Sequence, residues 1–175
     1  MRRGTSKGFT LIEILVVLVV VGLLAALAVT NMGGSSQQRE LENHVRELFL
    51  LMQTASEQAI LNNEELGLVF TDEGYQFLVF DDEKAEWTEQ GERLFRPRGL
   101  PDWLSVTPLI DSDLPRLGGE EDTLRPDLVF FSSGETTAFE LEFTVGPDTD
   151  YVHRIVSDGI SAINWLTPGE QEGES

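Results

Sequence analysis

Between Leu11 and Val29 the chain is almost unbroken aliphatic text, and the one ionisable side chain within it is Glu13. A helix rises about 1.5 Å per residue, so this run is close to the roughly 20 apolar residues that cross the hydrocarbon core of a bilayer. An ionised carboxylate in that setting costs on the order of a few kcal/mol by insertion scales, and such groups face a partner or a polar cavity. Glu13 is therefore the first candidate functional residue. Ahead of it stands a short polar leader with Arg2, Arg3 and Lys7, ending at the junction Gly8-Phe9.

The block Lys7-Gly8-Phe9-Thr10-Leu11-Ile12-Glu13 resembles the end of the leader in the type IV pilin and pseudopilin family. The resemblance implies that a membrane-embedded aspartyl peptidase cuts on the cytoplasmic side between Gly8 and Phe9 and that the new amine of Phe9 is N-methylated. It also implies an assembly role for Phe9 and Glu13. In the filament the Glu13 carboxylate pairs with the charged amine of a neighbouring subunit, which offsets the cost of burying it.

Two plainer readings compete. A secretory signal would use Arg2, Arg3 and Lys7 as its positive region, Leu11 to Leu24 as its apolar region and Ala26-Leu27-Ala28 as its cleavage site. A glutamate near the start of a segment that only needs to be apolar speaks against it. The other is a simple membrane anchor whose Glu13 snorkels to the interface. Gly22 and Ala26 form a small-x-x-x-small pair, but such pairs are common in any apolar helix.

The 175 residues suffice for a membrane helix and one folded domain. With 12 basic and 31 acidic side chains the charge is −19; losing the leader leaves 9 basic, hence −22 before the new amine is counted. Basic residues before the apolar run and acidic mass after it place the N-terminus in the cytoplasm and the domain in the periplasm of a diderm bacterium. Apart from Lys7 the sole lysine is Lys84, and so acidic a domain is no nucleic-acid surface, which needs clustered Lys and Arg. Zero cysteines exclude a disulfide in a compartment that permits one. Many adhesive and DNA-uptake pilins of the resembling family close a C-terminal loop with a disulfide, so this favours the pseudopilins.

Asn31-Met32-Gly33-Gly34-Ser35-Ser36 reads as punctuation that bends or interrupts the helix. From about Gln37 to Asn62 a second helical stretch carries Leu41, Val45, Leu48, Met52, Ala55 and Ala59 on one face, with Glu40, Glu42, Arg46, Glu47, Gln53 and Glu57 on the other. The apolar stripe is a core stripe, set to pack on a sheet. From Leu66 the period becomes two. Leu66, Leu68 and Phe70, then Tyr75, Phe77 and Val79, make a hairpin about the turn Thr71 to Gly74. A third strand begins at Trp87 after a charged turn, and the segment Leu94 to Pro101, with Pro97, Gly99 and Pro101, is an edge or a connecting loop. Leu104 to Ile110 is a short strand, and Asp111 to Asp127 is the least ordered stretch. Strands follow at Leu128 to Phe131 and Ala138 to Val145, then a last hairpin of Tyr151 to Val156 and Ile160 to Trp165 around Ser157-Asp158-Gly159.

Short antiparallel strands with no helix between them predict an α+β fold: a long N-terminal helix, half membrane and half amphipathic, packed on an antiparallel sheet pair or sandwich, as in pilins. The expected division is leader 1–8, membrane helix 9–30, amphipathic helix 31–63, periplasmic β domain 64–167 and acidic tail 168–175. A second resemblance lies in the strands. Phe130 followed by Gly134, and the final hairpin with Gly159 and Ile160, are similar to the C-terminal half of the minor pseudopilin H domain of type II secretion systems and its relatives among the minor pilins.

No catalytic constellation is evident. His44 and His153 fall on a helix and a strand as surface or packing residues, and neither belongs to a zinc-binding spacing. The runs Asp81-Asp82-Glu83 and Glu120-Glu121-Asp122 lack the alternating ligands and central glycine of a calcium loop and read as solvated charge. No metal or cofactor is expected, and no enzyme. The resemblance implies a minor pseudopilin at or near the tip of a periplasmic pseudopilus that helps export folded proteins. Its partners are then other major and minor pseudopilins, the prepilin peptidase and methyltransferase, the inner-membrane assembly platform and membrane lipid. The alternatives are a minor type IV pilin for assembly, adhesion or DNA uptake, and a tethered periplasmic enzyme or binding protein.

Overall fold

The structure, a computed structural model, describes residues 11–110, 125–146 and 151–170, and for residues 25–35 the backbone alone. Helix α1 runs from Leu11 to Asn62. It passes through Asn31 to Ser36 without the interruption the sequence pattern predicts. The backbone hydrogen bonds of a helix continued on both sides outweigh the propensity cost, which is about 1 kcal/mol for each glycine. The chain forms two compact units, Met1–Arg39 and Glu40–Ser175, and α1 contributes to each.

The second unit is built as the periodicities predict. Leu41, Val45, Leu48, Met52, Ala55 and Ala59 are all buried, joined by Leu51. The helix stops at Asn63, whose φ of 53° is the left-handed conformation that ends helices, and the Glu64 N–H reaches back to the Ala59 carbonyl at 3.1 Å.

Among the described residues nine strands form two antiparallel sheets. The first has the order β3 (Glu86–Glu89), β2 (Gly74–Asp81), β1 (Leu66–Thr71), β6 (Leu128–Phe130), with the short β4 (Arg98–Gly99) also on β2. The second has the order β5 (Leu104–Ile110), β7 (Phe139–Val145), β8 (His153–Ser157), β9 (Asn164–Leu166). The β1–β2 hairpin pairs Leu66 with Val79 and Thr71 with Gly74, leaving Asp72 and Glu73 as the turn. The segment assigned to an edge or loop contains a 3-10 turn, Arg93–Phe95, and then β4, so it is partly edge strand. In the last hairpin Val156 pairs with Asn164, so β9 begins at Asn164 and Ile160 belongs to the connecting loop rather than to a strand.

One core unites the helix stripe with both sheets, through Leu66, Leu68, Tyr75, Phe77 and Phe130 of the first and Phe139, Leu141, Phe143 and Ile155 of the second. The rings of Phe77 and Phe95 lie 4.9 Å apart at its centre. On the other face of the first sheet Leu78, Trp87 and Val129 form a smaller buried cluster with Val69, Phe80 and Phe131 against them. Alternation predicts a polar face there. The unbroken apolar run Phe77-Leu78-Val79-Phe80 is the signal of a strand covered on both sides.

Candidate functional site

The first-turn acid of α1 is Glu13. Glu13 has an interaction partner within the single chain. Around it the aliphatic side chains from Leu11 to Leu24 are exposed on every side, from Val20 at 48% to Leu11 at 86%. A helix that is apolar all round belongs in a bilayer or against other helices. Among the described residues no helix is long and apolar enough to cross a membrane. Gly8 and Phe9, the predicted cleavage and modification residues, lie outside the described residues, as do Glu120-Glu121-Asp122 and most of Asp111 to Asp127.

Elsewhere the candidates resolve into packing and turns. His44 lies edge-on to Trp103 at 6.4 Å. His153 is buried on β8, where its Nδ1 accepts the Trp165 indole N–H at 3.3 Å and its Nε2 has no hydrogen-bond partner among the described residues. The proton of the neutral ring therefore sits on Nε2. Burial holds the imidazole below its ordinary pKa, against a smaller opposing pull from Glu42. Asp81 closes its own turn: Oδ1 accepts the N–H groups of Glu83 and Lys84, and Oδ2 pairs with the Lys84 ammonium at 3.0 Å. These bonds, the one from the Lys84 side chain foremost, lower the Asp81 pKa.

An open groove of 480 Å³ runs between the β1–β2 turn and β4, lined by Asp72, Glu73, Tyr75 and Arg98 among others. Arg98 is already engaged, by the Glu47 carboxylate at 2.8 Å and the Leu94 carbonyl at 2.9 Å. Burial raises the Tyr75 hydroxyl far above its ordinary pKa, so it stays protonated. The groove thus offers carboxylates in water and a committed guanidinium, with no nucleophile beside a base.

The family model for type II transport protein GspH matches residues 44–159, and that for the prokaryotic N-terminal methylation motif matches residues 3–29. The chain belongs to the GspH family of type II transport proteins. This GspH-family chain is 35% identical over 151 residues to type II secretion system protein H of Pseudomonas aeruginosa, covering 82% of the chain and 86% of that relative. It is 28% identical to the protein of the same name from Aeromonas hydrophila, over 98% of the chain and all of the relative. In fold it is similar to the minor pseudopilin EpsH of the Vibrio cholerae type II secretion system, with a TM-score of 0.64 at 21% identity, covering 77% of this chain and 99% of that one. It is a type II secretion pseudopilin rather than a minor type IV pilin. What the sequence reading missed is the exposure of Ile160, placed in a strand by its hydrophobicity but 82% accessible in a loop.

Proposed function

We propose that this pseudopilin is a subunit at or near the tip of a periplasmic filament and is held before assembly by its N-terminal helix in the inner membrane, with the leader cytoplasmic and the β domain periplasmic. The observation that carries this is the sleeve of exposed aliphatic side chains from Leu11 to Leu24 around Glu13, in a chain of the GspH family. The prepilin peptidase cuts between Gly8 and Phe9, Phe9 is N-methylated, and the apolar stretch leaves the bilayer for a shaft made with other pseudopilins on the assembly platform. Glu13 already interacts within the single chain. Pairing of Glu13 with a neighbour's amine in the filament is driven as much by burial of the aliphatic sleeve as by the charge.

Intact-mass and N-terminal analysis of the membrane-extracted protein tests this. A mature chain beginning at methylated Phe9 is expected. One beginning at Val29 marks a cleaved secretory signal and removes the filament reading. In parallel, Glu13→Ala leaves the β domain folded and reduces recovery in sheared filaments; wild-type recovery of that variant removes the role given to the carboxylate.

A further inference from the structure

Packing does not account for Ile160, which follows Ser157-Asp158-Gly159 in the loop before β9 and is 82% exposed. The loop that presents it is held from several sides. Asp158 Oδ1 accepts the N–H groups of Ile160 at 2.9 Å and Ser161 at 2.6 Å, and Oδ2 accepts the Ser161 hydroxyl at 2.8 Å. The Ser157 and Thr136 hydroxyls share a hydrogen bond of 2.9 Å, and the Thr136 N–H donates to the Gly159 carbonyl at 2.8 Å. An apolar side chain on so fixed a loop loses little entropy when it is covered by a partner.

The β6–β7 turn that braces this loop also meets the end of α1. Ile60 lies against Gly134, where a Cβ would stand 3.5 Å from its Cδ1. Ile60 is 51% and Leu61 81% exposed in the last helical turn. Three large aliphatic side chains therefore surface on adjoining segments at the end of the domain remote from Glu40.

The charges carried by these three segments have one sign. Residues 60–65, 132–138 and 157–163 contain no lysine or arginine, and their ionisable members are Glu64, Glu65, Glu135 and Asp158. Glu65 is held by the Ser132 N–H at 2.8 Å and hydroxyl at 2.9 Å, which fixes its charge in place. An apolar centre with a carboxylate rim fits a surface with an apolar centre and a cationic rim. A second copy is a poor occupant. With 31 acidic side chains and, without the leader, 9 basic ones, it opposes carboxylates with carboxylates.

We propose that Ile60, Leu61 and Ile160 form a docking face for a different subunit of the same filament, one whose contact surface is apolar and rimmed by Lys or Arg. The proposal rests on the filament reading above and adds the surface and the chemistry of the partner.

The absence of cysteine makes the test direct. Full-length Ile160→Cys and, as control on the β2–β3 turn, Glu83→Cys are each labelled with a photoactivatable maleimide in cells producing the whole set of pseudopilins. A crosslink from position 160 to another pseudopilin, on the order of tenfold above position 83, is expected for a central contact. It weakens in added salt. Ile160→Asp unfolds at the wild-type temperature, since the side chain is exposed, but loses filament incorporation to a similar degree. Crosslinks to a second copy alone, to lipid, or equally from both positions overturn the docking face, as does normal incorporation of Ile160→Asp. Loss of wild-type protein from filaments is a separate result that overturns the filament reading and this face with it.

Discussion

The helix from Leu11 to Leu24 and the unit that begins at Glu40 resolve the same problem in opposite ways. In the unit from Glu40 onward, periodic apolar residues find their cover inside the chain, and Leu41, Val45, Met52, Phe77, Phe95 and Phe130 are almost wholly buried. Between Leu11 and Leu24 the apolar residues are as dense but lack periodicity, and the chain leaves them exposed. A one-sided stripe completes a core, whereas an all-round apolar surface requires another phase or another chain. The unit from Glu40 onward accordingly carries the fold, and the exposed segment Leu11 to Leu24 is the part we propose carries association.

The contrast is broken most forcefully by cutting into the core. Phe77→Ala should cost about 3–5 kcal/mol of stability, since it empties the centre of the aromatic cluster with Phe95 and Phe130. Urea titration should show a lower midpoint at an unchanged slope, whereas Glu13→Ala should leave that midpoint in place. A smaller effect is expected from pH. The buried imidazole of His153 titrates below its ordinary value in the folded state. The unfolded chain then binds more protons, so stability is full above the ordinary value and falls as pH drops through it, by at most about 1.4 kcal/mol per pH unit for one site. Thermal unfolding between pH 8 and pH 5 should show this, and His153→Gln should flatten it; an unchanged slope in that variant would assign the effect elsewhere. The smallest expected effect is at the surface. Arg154 lies between Glu140 at 3.2 Å and Glu142 at 3.1 Å on the outer face of the second sheet, and Arg154→Ala should shift stability by about 0.5 kcal/mol or less.

Much of this was legible without coordinates because it is local. The helix stripe, the β1–β2 hairpin with its two-residue turn, the strand Leu104–Ile110 and the termination of α1 near Asn62 follow from spacing and turn chemistry within short windows. The leader, Glu13 and the family resemblance stand equally in consecutive residues. The continuity of α1 through Gly33 and Gly34 was not legible, because local propensity is weak beside the hydrogen bonds of a long helix. The run Phe77-Leu78-Val79-Phe80 signals the second apolar face of the first sheet, but not what covers it: Gly67 admits Pro126 and the Trp87 ring so closely that an added Cβ would stand 2.6 Å from the proline Cβ.

The amino-acid sequence by itself determined the kinds of element, their order, the apolar segment with its acid and the membership of a filament-forming family. Only the tertiary structure decided that β6 pairs with β1 across some sixty residues of chain, that His153 is sealed beside Trp165, and that Ile160 stands in water on a loop tied to the β6–β7 turn. The reason is physical: periodicity specifies which side of an element is apolar, but what covers that side is set by partners distant in the chain, and a residue left uncovered is known only when every other surface has found its place.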